Sequence, residues 1–252
     1  MKVINRFFEF LDSLTDIGAL LVFIVLLLIG VYSIYDSYMI VKGATDDSIL
    51  KFKPGYETDE KSDKQILSSM VAWLTVDDTD MDFPVMQGRD NMEFLNKDAF
   101  GDYSLSGSIF LDYRNKKDFS DFYNLIYGHH MEGGMFGALD KYYEEDYFKE
   151  HTSGSLIVGE DIYDLSLFAL VYTEATDKNL FSIPSDIDIK QDISGDVFNY
   201  IKENAKLFDE EVVRKYKSNK LLSLSTCRYP DTTDRTIVVG FLHNKRALKN
   251  VN

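Results

Sequence analysis

The 252-residue chain is 45% hydrophobic, carries a formal net charge of -15 and contains a single cysteine. That charge balance excludes a binder of phosphate backbones, which needs a basic face, and no Lys/Arg-rich run supplies one. One cysteine excludes an intramolecular disulfide framework and a Cys-rich zinc site, leaving the thiol free to react. No cofactor or metal is called for by the motifs. Residues 17–35, IGALLVFIVLLLIGVYSIY, form an uncharged apolar run close to the ~20 residues that cross a bilayer as a helix. A cleavable signal peptide competes with this reading. The run is longer than a signal core, however, and no small-x-small site precedes Asp36. The expectation is therefore a tail over 1–16 and an uncleaved membrane anchor over 17–39. Lys2 and Arg6 favour a cytoplasmic tail, although Asp12 and Asp16 weaken that bias and Lys42 opposes it. The rest of the chain then lies outside the cell.

Residues 40–65 are polar and mixed in charge, with a Pro54-Gly55 turn, and read as a stalk leading into a helical piece around Gln65 to Met70. The remainder, 66–248, is long enough for one domain with a substantial core. Val71-Ala-Trp-Leu-Thr-Val opens a β-rich pattern. The alternating carboxylates of Asp77-Asp-Thr-Asp-Met-Asp lack the glycine of a calcium loop and read as a turn before the strand around Phe83-Pro-Val. Asn91 to Asn96 is a short helical turn; Gly107 to Tyr113 and Asn124 to Tyr127 are strands with charged residues 114–118 between them. Met135 to Tyr143 has helical spacing, and Ser155-Leu-Ile-Val and Tyr163 to Tyr172 return to strands. Between Asp192 and Lys217, Val197, Tyr200, Ile201 and Phe208 mark one helical face, with Ser194 as a candidate cap. That helix is either a lid or wall over a site or a packed surface helix. Short strands divided by turns, with few helices, predict a mainly β, closed or nearly closed barrel.

The chemistry gathers around LLSLSTCRYPDTTDRTIVVGFL, residues 221–242. Cys227 ends one strand, Pro230 and two aspartates turn the chain, and Arg235 opens the next strand. If the two strands pair, Arg235 lies close to Cys227, and a fixed positive charge favours the attacking thiolate. A lone strand-end cysteine is otherwise an inert buried hydrophobe. What favours reactivity is a histidine of the His129-His130 pair, placed where the strand 124–127 runs into Gly128 and a glycine-flanked loop. There it is anchored, aimed and able to exchange protons. Arg235 keeps its proton, so it either stabilises an oxyanion or holds substrate backbone. Chemistry alone does not choose between His129 and His130; His151 and His243 have no matching context.

Tyr127-Gly128-His129, Leu224-Ser225-Thr226-Cys227 and Arg235 together resemble the His, Cys and Arg set of sortases, the membrane-anchored cysteine transpeptidases of Gram-positive bacteria. The stretches 71–76, 82–87 and 107–115, and the helical insert before the cysteine strand, are similar to the class B branch. The resemblance spans about Ser69 to Leu242. It implies a closed eight-stranded sortase-type β-barrel with N-terminal helices, Cys227 as nucleophile, His129 as general acid/base, Arg235 as oxyanion or substrate support, and Leu224, Ser225 and Thr226 as substrate-binding residues. It further implies cleavage of an NPxTN-like C-terminal sorting signal of secreted proteins after Thr, with transfer to an amine of peptidoglycan precursor. Some members polymerise pilins instead. Two other enzyme classes fit less well: an L,D-transpeptidase has Gly before its Cys and Arg two residues after, and a papain-like hydrolase has its His downstream. A non-enzymatic anchored binding domain is the remaining alternative.

Overall fold

The computed structural model describes residues 2–44, 47–56, 64–131, 134–183, 193–227 and 233–248, with backbone alone for 2–13, 39–44, 47–48, 193–194 and 227. Two compact units result, residues 1–42 and 43–252. The first is helix α1 (Lys2–Ala44). Its Leu14–Tyr38 stretch has a mean hydropathy of 2.8 and is long and apolar enough to cross a membrane.

The second unit contains β1 (Met70–Val76), β2 (Asp82–Met86), β3 (Ile109–Leu111), β4 (Tyr123–Tyr127), the small hairpin β5 (His130–Met131) and β6 (Gly134–Met135), and then α2 (Glu145–Glu150). It continues through β7 (Ser153–Val158), β8 (Asp161–Glu174), α3 (Lys178–Phe181), α4 (Ile193–Asn204), β9 (Ala205–Phe208), α5 (Glu210–Tyr216), β10 (Lys220–Cys227) and β11 (Asp234–Ala247). Strand order runs β11-β10-β4-β3-β2-β1-β7-β8, and β8 pairs back onto β11, closing an eight-stranded barrel. The expected mainly β barrel is therefore the observed one. β9 adds to the same edge of β8 as β7, further along the strand.

Period-two alternation sorts the apolar side chains between two cores. Leu74, Val85, Ile126, Leu165, Leu167, Leu170, Leu222, Leu224 and Val238 fill the barrel interior. Leu125, Phe168, Val171, Leu221, Ile237, Val239 and Phe241 point outward and are covered by Leu180 of α3, Val197 and Ile201 of α4, and Val213 of α5. The parity of β8 changes at Phe168, where the register with β11 steps from Ala169↔Val239 to Leu167↔Gly240. At Gly240 a Cβ would stand 2.7 Å from Leu165 Cδ1 and 2.9 Å from Leu167 Cδ2, so the close approach of β8 and β11 requires glycine there.

Three expectations are corrected. Gln65 to Met70 is not helical: the segment ends in a turn, and Leu67 N–H donates to the Ala99 carbonyl at 2.9 Å, a tertiary bond that overrides a local helix. The helical turns of this region fall earlier, in a 3-10 helix over Asp47–Phe52. Lys53 Nζ then pairs with Asp82 at 2.9 Å while Trp73 Nε1 donates to the same carboxylate at 2.6 Å. The single helix expected over 192–217 is two, split by β9. Asp209 accepts from the N–H groups of Glu211 and Val212 and so restarts the helix as an N-cap. Ser194 falls inside α4, and its side chain lies outside the described residues.

Candidate active site

The site is built by a parallel pair. β4 and β10 run in the same direction, with Leu221↔Tyr123 through Ser225↔Tyr127 in register, so both strands end at the same rim of the barrel. Gly128 N–H donates to Ser225 O at 3.1 Å, extending the ladder one step past β4. Carrying that register one residue further sets His129 level with Cys227. On the other side of β10, Cys227 pairs directly with Arg235 of β11. The cysteine backbone thus lies on the central strand of three, between the strand leading to His129 and the strand opening with Arg235. The tightness at Gly128 keeps that approach: a Cβ there would be 2.5 Å from Ile109 Cδ1 and 2.7 Å from the Phe136 ring.

A cavity of about 430 Å³ opens at this rim, and His129, Arg235, Ser225 and Thr226 all line it. His129 Nε2 lies 2.7 Å from the carbonyl oxygen of Leu95, itself a lining residue. A carbonyl only accepts, so Nε2 carries the proton and Nδ1 is the nitrogen left to exchange one. Arg235 donates to the carbonyls of Thr233 and Asp234, both at 3.2 Å, and no carboxylate pairs with it among the described residues. Its charge is therefore available to an oxygen atom in the cavity. The Oγ of Ser225 and the Oγ1 of Thr226 are buried with no hydrogen-bond partner among the described residues. Such groups are costly to leave unmade.

His130 is held apart from this set. Its Nε2 pairs with Asp140 Oδ2 at 2.7 Å, and it does not line the cavity. Leu224 differs from its expected place: it is fully buried in the barrel interior, because strand alternation turns it away from Ser225, and it does not line the cavity either. Residues 228–232 of the connection after Cys227 lie outside the described residues.

Several lining residues escaped the sequence reading: Asn91, Phe110, Arg114, Tyr127 as a side chain, Ala175 and Phe181. Arg114 reads in sequence only as one of the charged residues 114–118 between two strands. Here its Nε and Nη2 each lie 2.8 Å from the fully buried Asp112 carboxylate, a two-pronged pair. Burial pushes the Asp112 carboxyl up, but the hydrogen bonds from Arg114 and Asn91 outweigh it and hold the group below the usual carboxylate range. Tyr127, half-buried and donating to the same carboxylate, has its phenol raised, by desolvation first and the Asp112 charge second. The one available signal was the stretch 107–115, noted for its family likeness but not for chemistry.

Residues 74–243 match the family model described as the sortase domain. The Sortase B of Listeria monocytogenes is 34% identical over 185 residues, 73% of each chain. Among solved structures, a Streptococcus pyogenes class B sortase involved in pilus biogenesis superposes with a TM-score of 0.62 at 39% identity, covering 71% of this chain and 94% of that one. Sortase B from the type II pilus of Streptococcus pneumoniae gives 0.57 at 30%, covering 70% and 93%. The chain belongs to the sortase family, whose members are cysteine transpeptidases. Its relatives and structural neighbours place it in the class B branch.

Proposed function

We propose that the chain is a membrane-anchored transpeptidase that cleaves a C-terminal sorting signal, NPxTN-like or related, after Thr and passes the acyl group to an amine of peptidoglycan precursor. The observation that carries this reading is the placement of Cys227 on the strand between His129 and Arg235, with imidazole and guanidinium facing one cavity. Cys227 as thiolate attacks the Thr carbonyl carbon, and the oxyanion that forms is met by Arg235, which also suits substrate backbone. Collapse breaks the C–N bond as the His129 imidazolium, which took the thiol proton at Nδ1, gives that proton to the departing amine, leaving a thioester on Cys227. The acceptor amine then attacks that thioester, His129 takes the amine proton, and the new amide leaves the thiolate free. Ser225 and Thr226, which line the cavity, supply substrate contacts. Helix α1 anchors the enzyme in the membrane with the domain on the extracellular face, a topology supported by Lys2 and Arg6 ahead of the apolar stretch.

A second reading keeps the chemistry and changes the acceptor to a lysine amine of a pilin. It is supported by the 39% identity with a class B sortase involved in pilus biogenesis. Mass spectrometry of the full chain in detergent, incubated with a sorting-signal peptide library and either a peptidoglycan-type amine or a pilin-type lysine peptide, separates the two. Amide product with the first amine supports wall anchoring; product with the lysine peptide alone supports polymerisation. No cleavage of any peptide contradicts both.

A further inference from the structure

We propose that Asp112 is the positioning residue of the cavity: a buried anion that sets Asn91, Arg114 and Tyr127 and, through Arg114, ties the end of α3 to the same site. This rests on the acyl-transfer reading above, since it concerns the space in which that peptide lies. Asp112 follows β3 directly and is 0% exposed. Its Oδ1 accepts from Arg114 N at 3.0 Å and Arg114 Nε at 2.8 Å. Its Oδ2 accepts from Arg114 Nη2 at 2.8 Å, Asn91 Nδ2 at 2.9 Å and the Tyr127 hydroxyl at 3.0 Å. Three lining side chains from three separate segments thus converge on one carboxylate beneath the cavity surface.

The same Arg114 Nη2 also donates to the Phe181 carbonyl at 2.8 Å, reaching the last residue of α3, whose side chain lines the cavity and stacks on Tyr127. Below, Gln87 Nε2 donates to the carbonyls of Asp112 and Asn115, both at 2.8 Å, fixing the backbone that carries the carboxylate. An ionised carboxylate meets these five donors with two charged oxygens, whereas a neutral amide offers one oxygen and would confront Arg114 with its own N–H groups. Removing the charge leaves a guanidinium without its counter-ion and frees three side chains to other rotamers. The cavity then exists but is no longer shaped in advance.

The test compares the full chain with Asp112→Asn, Arg114→Lys and the double variant. It uses steady-state kinetics on a peptide the parent cleaves and the rate of Cys227 alkylation by iodoacetamide. The expected result is a KM raised about 10- to 100-fold with a smaller change in kcat, the size expected for loss of substrate positioning. The alkylation rate stays at the parent value, since the small reagent does not need the shaped cavity, and the double variant is no worse than the poorer single one. A parent-like KM in Asp112→Asn, an alkylation rate that falls in step with turnover, or fully additive losses would each overturn the proposal. If Asp112→Asn loses cooperative melting, Arg114→Lys and Tyr127→Phe decide: raised KM in both supports it, and parent-like KM in either overturns it. A parent that cleaves no peptide overturns the acyl-transfer reading itself, and this assignment with it.

Discussion

At the scale of single residues, the two neighbouring histidines separate cleanly. His129 faces the cavity, whereas His130 is tied to Asp140. His129→Ala is therefore expected to lower kcat/KM for peptide transfer about 10²- to 10⁴-fold, the range for losing a general acid/base. His130→Ala should retain most activity, and a peptide-cleavage assay that reversed this order would exchange the two assignments. Arg235→Lys is expected to lose about 10²- to 10³-fold in kcat, because an ammonium cannot reproduce a planar fork aimed at an oxyanion.

A different residue carries a pH dependence. His243 is buried, donor or acceptor to Ser166 Oγ at 2.9 Å, and stacked on Tyr216 at 3.7 Å. Burial depresses its folded-state value below the ordinary 6.5, against the opposing pull of Asp164. The unfolded chain therefore takes up this proton first, and stability falls as pH drops through 6.5 toward the lower folded value. Melting temperature measured between about pH 7 and 5 should fall less steeply for His243→Gln; an unchanged slope would contradict this.

Cys227, His129 and Arg235 were legible as candidates because strand ends and glycine-flanked loops are local features. Asp112 and Arg114 were not. A charged run between strands has the same composition whether it is solvated or folded back beneath a cavity.

At the scale of elements, the strands were legible through alternation. Leu222 and Leu224 face one core, and Leu221 the other. Leu222→Ala should cost about 2–5 kcal/mol, because the closed barrel around it has little room to collapse. Helix boundaries were harder to read. Ala205 to Phe208 contains neither Gly nor Pro, and its apolar spacing continues the pattern of α4, so the sequence favours one long helix. The segment becomes β9 because residues 169–171 of β8 offer an open edge past the end of β7. Asp209 then nucleates a new helix. Asp209→Ala should destabilise the fold by about 1 kcal/mol, read as a lower urea midpoint with unchanged slope; no change would mean that α5 is held by packing alone.

At the scale of the whole molecule, what the sequence withholds is which strands meet. The parallel pair β4 and β10 brings His129 to Cys227 across most of the domain, and β8 with β11 closes the barrel. Neither contact has a local signature, since each is chosen by the global burial of two opposite faces. The membrane stretch, by contrast, needs only length and composition. Protease added to intact cells should digest the domain while sparing an N-terminal tag, if the proposed topology holds; digestion only after lysis would reverse it.

The central claim is tested most directly by intact-mass spectrometry of the full chain mixed with a sorting-signal peptide in the absence of acceptor amine. The account predicts an added mass equal to the peptide fragment ending in Thr less one water, bound to Cys227 through a hydroxylamine-labile thioester and lost in Cys227→Ala. Peptide cleavage that persists in Cys227→Ala, with no adduct on the parent chain, would contradict it.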